Sequence, residues 1–193
     1  MLQLCKVTDS LFISNARSAC TDELLQKEAV TLCINVSKQQ PCPSARVSTL
    51  RVPAYDDPNE DLRAHFDRCA DVILSEAARG GRTVVYCKNG RSRSATICIA
   101  YLMKHQSLSL TEAYELVKSA RSVVEPNPGF WAQLERYEQD LKSTRAQPKH
   151  KGLRFSQLSL QRLFHRDTHH KINLISLKRC LHIYLINHII LQI

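Results

Sequence analysis

The sequence has no closely spaced pair of cysteines, although it contains 8 of them. No C-x-x-C pattern occurs, and the two cysteines nearest in the chain are Cys33 and Cys42. A structural zinc site or a redox dithiol motif is therefore not predicted. The first residues carry no apolar core segment, so we predict no secretory signal. We expect an intracellular, reducing compartment with free thiols, the cytoplasm first and the nucleus as the alternative.

Long apolar runs are also missing. The apolar stretch at residues 183–193 is 11 residues long, and Asn187 and His188 interrupt it. A helix needs about 20 apolar residues to cross a bilayer, so no membrane span is predicted.

Positive charge is concentrated at one end of the chain, whose net charge is +9. Residues 1–142 hold 18 Lys and Arg against 17 Asp and Glu, whereas residues 143–193 hold 9 against 1. We therefore predict one folded domain over residues 1–142 and a basic tail over residues 143–193 that is disordered or weakly helical. Binding of the tail to nucleic acid or a membrane surface is the alternative to a solvated segment. His165, His169 and His170 around Asp167 belong to this solvated stretch, with a metal site as the alternative.

Strand and helix patterns alternate along the first 142 residues and predict an α/β fold with a central, mostly parallel sheet flanked by helices. Gly80 ends one helical pattern, and Ser109 with Glu112 forms a capping box for another. A ligand site is expected beyond the carboxyl end of the central strand. The predicted strands are residues 11–13, 31–36, 49–54 and 83–86, and the predicted helices are residues 21–29, 62–77, 95–105, 109–121 and 129–142.

Cys87 follows the predicted central strand, and five residues separate it from Arg93, where an apolar helix begins. In such a loop the backbone N–H groups point inward, and the positive end of the helix adds to them, so the loop fits a tetrahedral dianion. The same field lowers the pKa of a thiol from about 8.5 and makes Cys87 a candidate nucleophile. Gly90 permits the tight backbone.

The other side chains of this segment suit phosphate chemistry. Arg93 can bind two phosphate oxygens through its planar guanidinium, and Ser94 can donate a hydrogen bond to a departing thiolate. Lys88 and Arg91 make the loop basic, which favours a dianion and polyanionic substrates. The predicted phosphate-binding residues of the loop are Lys88, Asn89, Gly90, Arg91, Ser92 and Arg93.

Residues 84–94 resemble the C-x5-R signature of the cysteine-dependent protein tyrosine phosphatases, with strand, cysteine, glycine, arginine, serine and apolar helix in the same order. The segments 93–96, 100–103 and 126–130 are similar to those of dual-specificity phosphatases, in particular the small atypical members without a kinase-docking domain. The resemblance covers about residues 11–142 and implies a phosphotyrosine protein phosphatase-like fold of the dual-specificity type.

The resemblance also implies a mechanism and further residues. A phosphocysteine forms and is then hydrolysed by water. Asp56 takes the position of the family's general acid and base, with Asp57 in reserve, although a turn carboxylate is the alternative for Asp56. Asn127 matches an asparagine that braces the phosphate loop, but its place between two prolines equally fits a structural turn. No metal or organic cofactor is expected.

One residue departs from the family pattern. The family has histidine before the cysteine, and this chain has Tyr86, which offers a single neutral hydroxyl. We therefore predict a higher Cys87 pKa and weaker turnover than in a relative with histidine, unless Tyr86 is only a core-facing strand residue.

The predicted function is hydrolysis of phosphotyrosine, and of phosphoserine and phosphothreonine, on phosphoprotein substrates. The alternative is a phosphoprotein-binding pseudophosphatase with little or no turnover. Cys33 and Cys98 are interpreted as small core residues, with a protective disulfide to Cys87 as the alternative.

Overall fold

A five-stranded sheet organises the part of the chain that the computed structural model describes, residues 2–43 and 47–146. The strands lie in the order β1-β2-β5-β3-β4, and all neighbours are parallel except β1 and β2. The predicted α/β class is confirmed, with β5 at the centre of a mostly parallel sheet. The strands are β1 (Cys5–Lys6), β2 (Leu11–Asn15), β3 (Leu32–Asn35), β4 (Ser48–Arg51) and β5 (Thr83–Cys87).

Six α-helices and one short 3-10 helix, Arg63–His65, connect and cover these strands within the described ranges. The capping box at Ser109 is confirmed: its hydroxyl accepts from Glu112 N, and its own N–H donates to the Glu112 carboxylate at 2.8 Å. Such a cap stabilises a helix by about 1 kcal/mol. The helices are α1 (Ala16–Ala19), α2 (Asp22–Lys27), α3 (Phe66–Ala78), α4 (Arg93–His105), α5 (Leu110–Ala120) and α6 (Pro128–Ala146).

Most element boundaries differ from the predictions by a few residues, and two of these differences are informative. The predicted strand at residues 49–54 ends already at Arg51, because Pro53 has no N–H to donate to a neighbouring strand. The last helix continues to Ala146 instead of ending at Lys142. Residues 143–146 of the predicted tail are therefore helical. The rest of that tail lies outside the described residues, together with its histidines and the apolar stretch at residues 183–193.

The two faces of the sheet pack against different helices. The larger apolar cluster lies on the side of α3, α4, α5 and α6, and the smaller one lies on the side of α1 and α2. Successive residues of a strand point to opposite faces. Val85 and Cys87 of β5 accordingly belong to the larger cluster, and Val84 and Tyr86 belong to the smaller one. The side chains of Cys87 and Tyr86 therefore face opposite sides of the sheet.

Across residues 2–43 and 47–146, no helix is both long and apolar enough to span a membrane.

Candidate active site

The phosphate loop, residues 88–92, connects the end of β5 to the first residue of α4. Cys87, the last residue of β5, is 1% exposed, and its sulfur lies 3.3 Å from the Ser94 hydroxyl. The hydroxyl of Ser94 can thus donate a hydrogen bond to a negatively charged sulfur. The structure brings these two predicted residues together at the amino-terminal end of α4.

The backbone carbonyls of the phosphate loop all accept hydrogen bonds from the surrounding protein. Because the C=O and the following N–H of a trans peptide point in opposite directions, the N–H groups of residues 89–93 face the inside of the loop. This arrangement and the start of a 13-residue helix together form an anion-binding concavity. The pairs are Lys88 O with Ala16 N (3.3 Å), Asn89 O with Arg121 Nη2 (2.9 Å), Gly90 O with Arg121 Nε (2.8 Å), Arg91 O with Glu125 N (2.9 Å) and Ser92 O with Thr96 N (2.9 Å).

Gly90 is required at its position by both backbone conformation and space. Its φ is +64°, in the left-handed region that side chains rarely adopt. A Cβ atom there would lie 2.5 Å from the carbonyl oxygen of Ser14 in β2. The loop can therefore rest against β2 only with glycine at this point.

Arg121, just after α5, is a brace of the phosphate loop that the sequence analysis missed. One guanidinium binds two consecutive loop carbonyls, and hydrogen bonds from a charged donor are among the stronger ones in proteins. A single arginine at the end of a helix carries no pattern that would have revealed this contact.

The Arg93 side chain is buried, with 8% of its surface exposed. Its Nη1 donates to the Ala54 carbonyl oxygen at 3.0 Å, so the guanidinium is fixed to the segment that precedes Asp56. Its Nε is buried and has no hydrogen-bond partner among the residues that the structure describes. This nitrogen is a free donor beside the phosphate loop.

The two adjacent aspartates make different contacts. Asp56 Oδ1 accepts a hydrogen bond from Asn127 Nδ2 at 3.1 Å. Asp57 Oδ1 accepts from the backbone N–H of Asn59 at 2.8 Å and so stabilises its own turn. Asp56 is therefore connected to the phosphate loop through Asn127, which also binds Ser92. Asp57 only stabilises its own turn.

Asn127 contacts three segments. Its backbone N–H donates to the Ser92 hydroxyl at 3.0 Å, and its side-chain amide donates to Asp56. Its side-chain oxygen accepts from Phe130 N at 2.9 Å, in the first turn of α6. Asn127 therefore makes one contact within its own turn and two contacts to the segments of Ser92 and Asp56.

The basic residues on the rim of the phosphate loop are exposed. Lys88 and Arg91 both point to solvent, and Arg91 forms an ion pair with Glu125. The positive charge of the loop is therefore partly balanced by a neighbouring carboxylate.

The Tyr86 side chain is fully buried on the face of the sheet opposite to Cys87. Its hydroxyl donates to the Pro41 carbonyl oxygen at 2.7 Å, and burial raises the pKa of the phenol far above its usual value. Tyr86 is thus a neutral core residue whose hydroxyl binds the loop after β3.

The buried cysteines resemble small apolar residues in their surroundings. Burial raises the pKa of Cys33 to about 12 and also raises that of Cys98, so both thiols stay neutral. Cys33, Cys87 and Cys98 are all free thiols.

Residues 11–140 match the family described as "Dual specificity phosphatase, catalytic domain". The chain belongs to this family, which confirms the resemblance seen in the signature loop and supports protein phosphatase activity and phosphoprotein substrates in general.

Particular relatives are close in sequence and structure. Human dual specificity phosphatase 28 is 54% identical over 141 residues, which cover 72% of this chain and 80% of the relative. Mouse dual specificity phosphatase 14 is 43% identical over 139 residues, covering 72% of this chain and 70% of the relative. A crystal structure of a mouse dual specificity phosphatase complexed with zinc tungstate superposes on this chain with a TM-score of 0.73 and 50% sequence identity. The match covers 77% of this chain and 94% of that one.

Proposed function

We propose that this chain hydrolyses phosphate monoesters on proteins, on tyrosine and also on serine and threonine, through a phosphocysteine at Cys87. In the first step the Cys87 thiolate attacks phosphorus, the bond to the leaving oxygen breaks, and Asp56 gives its proton to that oxygen. In the second step water attacks the phosphocysteine, Asp56 takes a proton from the water, and the thiolate leaves. The Ser94 hydroxyl, 3.3 Å from the sulfur, donates to the departing thiolate.

The observation that carries this proposal is the buried Nε of Arg93. An unsatisfied buried donor costs about 1–3 kcal/mol, and a phosphate oxygen would supply the acceptor. The other end of the same guanidinium is held by Ala54, so the donor is positioned before a ligand binds. The mouse relative is a complex with zinc tungstate, and tungstate is a tetrahedral oxyanion like phosphate. The same class of ion is proposed for this chain.

We further propose that turnover is low. The histidine expected from the family would offer two polar nitrogens, whereas Tyr86 offers one hydroxyl. That hydroxyl is already bonded to Pro41 on the face of the sheet away from Cys87. The remaining support for the Cys87 thiolate comes from the loop amides, α4, Arg93 and Ser94, so no metal or organic cofactor is required. The cytoplasm is the expected compartment, because a catalytic thiolate needs reducing conditions.

Turnover of an aryl phosphate by the reduced protein tests the proposal. We expect slow product formation that Cys87→Ser abolishes and that Cys42→Ser, a change of an exposed thiol, leaves intact. Rapid acid quenching followed by mass spectrometry should reveal a phosphoryl group on Cys87.

A different result would support the second candidate. If the wild-type protein binds a phosphopeptide but forms no product and no phosphocysteine, the chain is a phosphoprotein-binding pseudophosphatase.

A further inference from the structure

Three cysteines that are far apart in sequence surround the buried Tyr86 side chain on the α1–α2 face of the sheet. The thiol of Cys20 donates to the Pro41 carbonyl oxygen at 3.5 Å, the same oxygen that accepts from Tyr86. Cys42 is the next residue after Pro41, and Cys33 belongs to the same apolar cluster as Tyr86. None of these thiols takes part in the proposed reaction.

Cys42 has the surroundings of a reactive thiol. It is exposed, and its sulfur accepts a hydrogen bond from Arg51 Nη2 at 3.1 Å and another from Asn35 Nδ2 at 3.6 Å. A guanidinium and an amide N–H both stabilise negative charge on sulfur, and the thiolate is the form that reacts with oxidants.

Cys20 is the suitable partner for Cys42, and Cys33 is not. Cys20 is half-buried, at the end of α1; burial raises the pKa of its thiol, while a hydrogen bond with Tyr86 acts in the opposite direction. Asn35 Nδ2, which contacts the Cys42 sulfur, also donates to Pro41 O at 3.1 Å, so both sulfurs are arranged around one carbonyl group. Cys33 is inaccessible to solvent, and mainly for that reason its pKa rises to about 12.

We propose that Cys20 and Cys42 form an oxidant-sensitive dithiol that hydrogen peroxide closes to a disulfide. The Cys42 thiolate attacks one peroxide oxygen, the O–O bond breaks, and the products are a Cys42 sulfenic acid and hydroxide, which takes up a proton to become water. The Cys20 sulfur then attacks the sulfenic sulfur, the S–O bond breaks, and the hydroxide released takes the Cys20 proton. Two thiols are oxidised, and one peroxide is reduced to two waters.

The position of this pair separates it from the candidate active site. Tyr86 and Cys87 are consecutive residues of β5, but the Tyr86 ring faces the dithiol and Cys87 faces the other side of the sheet. The proposal therefore does not depend on catalytic activity. It also shows why cysteine spacing along the chain predicted no redox dithiol, because the fold rather than the sequence brings residues 20 and 42 together.

Peptide mapping of the full chain tests the dithiol. The reduced protein is treated with increasing hydrogen peroxide, remaining thiols are alkylated, and the digest is analysed without reduction. We expect a peptide that joins Cys20 to Cys42, lighter than the sum of its parts by about 2 Da for the two hydrogens lost, which dithiothreitol separates. The same peptide should form from Cys33→Ser and should be missing from Cys42→Ser and Cys20→Ser.

The rate of closure provides a second measurement that does not remove a thiol. Arg51→Gln should slow formation of the linked peptide several-fold, because it removes the cation next to the Cys42 sulfur. The proposal is overturned if the wild-type protein, with its other thiols oxidised, still carries alkylated Cys20 and Cys42. It is equally overturned if Cys42 oxidises only to sulfinic or sulfonic acid without the link.

Discussion

The phosphate loop and the acid loop, residues 53–60, are held in place by different kinds of contact. The carbonyls of residues 88–92 are bonded to the rest of the protein, and Gly90 lies against the backbone of β2. The acid loop is more exposed, with half of the Tyr55 surface accessible, and side chains hold it. Its contacts are Arg93 Nη1 to Ala54 O (3.0 Å), Asn127 Nδ2 to Asp56 Oδ1 (3.1 Å) and Tyr55 N to Glu60 Oε2 (2.9 Å).

This difference separates two properties of the site. The anion-binding shape of the phosphate loop depends on hydrogen bonds to its own backbone carbonyls, three from backbone N–H groups and two from Arg121. The position of Asp56 depends on a few side-chain hydrogen bonds, of which only the one from Arg93 is buried. Changes in the acid loop should alter turnover without altering anion binding, whereas changes in the phosphate loop should alter both together with stability.

Asp56→Asn should have the largest effect and should act on turnover alone. Loss of a general acid and base lowers kcat by about 10²–10⁴-fold, while inhibition by tungstate, a measure of anion binding, should stay unchanged. Asp57→Asn is the matched control, because its carboxylate serves its own turn. Equal losses in the two variants would contradict the assignment.

Gly90→Ala should affect folding and anion binding at once. The new Cβ would lie 2.5 Å from Ser14 O at a φ of +64°, so we expect the free energy of unfolding to fall by about 2–3 kcal/mol. Gly80→Ala is the control, since Gly80 has a φ of +79° but nothing within 4 Å of the added atom, and about 1 kcal/mol is expected. Urea denaturation with tungstate titration measures both. Similar losses at the two glycines would show that the contact with β2 is unimportant.

Arg121→Ala should loosen the phosphate loop from outside the signature. It removes two hydrogen bonds to loop carbonyls, and we expect about 1–3 kcal/mol lower stability together with weaker tungstate binding. Arg136→Ala provides the comparison, because that guanidinium bonds to Ala132 O of its own helix at the surface. Unchanged tungstate affinity in Arg121→Ala would mean that the loop keeps its shape without this brace.

Tyr86→His should produce the smallest change and the only gain. Histidine places two polar nitrogens behind the loop where tyrosine has one hydroxyl, so we expect turnover to rise by up to about tenfold and the pH–rate profile to shift to the acid side. Tyr86→Phe removes the bond to Pro41 without adding a polar nitrogen, and it should show no such shift. A Tyr86→His profile that matches wild type in position and height would remove the explanation offered for low turnover.

The same contrast explains how much of the site could be predicted from the sequence. The phosphate loop was predictable because strand, Cys87, Gly90, Arg93 and helix follow one another in the chain. Their geometry is therefore set by local sequence. The choice between Asp56 and Asp57 needed the resemblance to a family, and their different hydrogen bonds became visible only in three dimensions. The contacts of Arg121 and of the cysteines around Tyr86 could not be predicted from the sequence. They join segments that are far apart in the chain and that no spacing rule connects.

Helices and strands were predictable where the hydrophobic pattern of the sequence was long. The central strand and the apolar α4 were expected within two residues of their observed bounds. The two-residue β1 and the four-residue α1 were missed, because segments so short have no period to detect. β1 exists only through its pairing with β2, for example that of Cys5 with Ile13.

Pro128, the residue after Asn127, slows a chemical degradation of the site during storage. Spontaneous deamidation of asparagine begins when the backbone nitrogen of the next residue attacks the side-chain amide, and Pro128 has no N–H with which to do so. Conversion of Asn127 to a carboxylate would replace a donor to Asp56 with a second negative charge. The proline that begins α6 therefore also protects the amide that holds the acid loop, and prolonged storage should spare this contact.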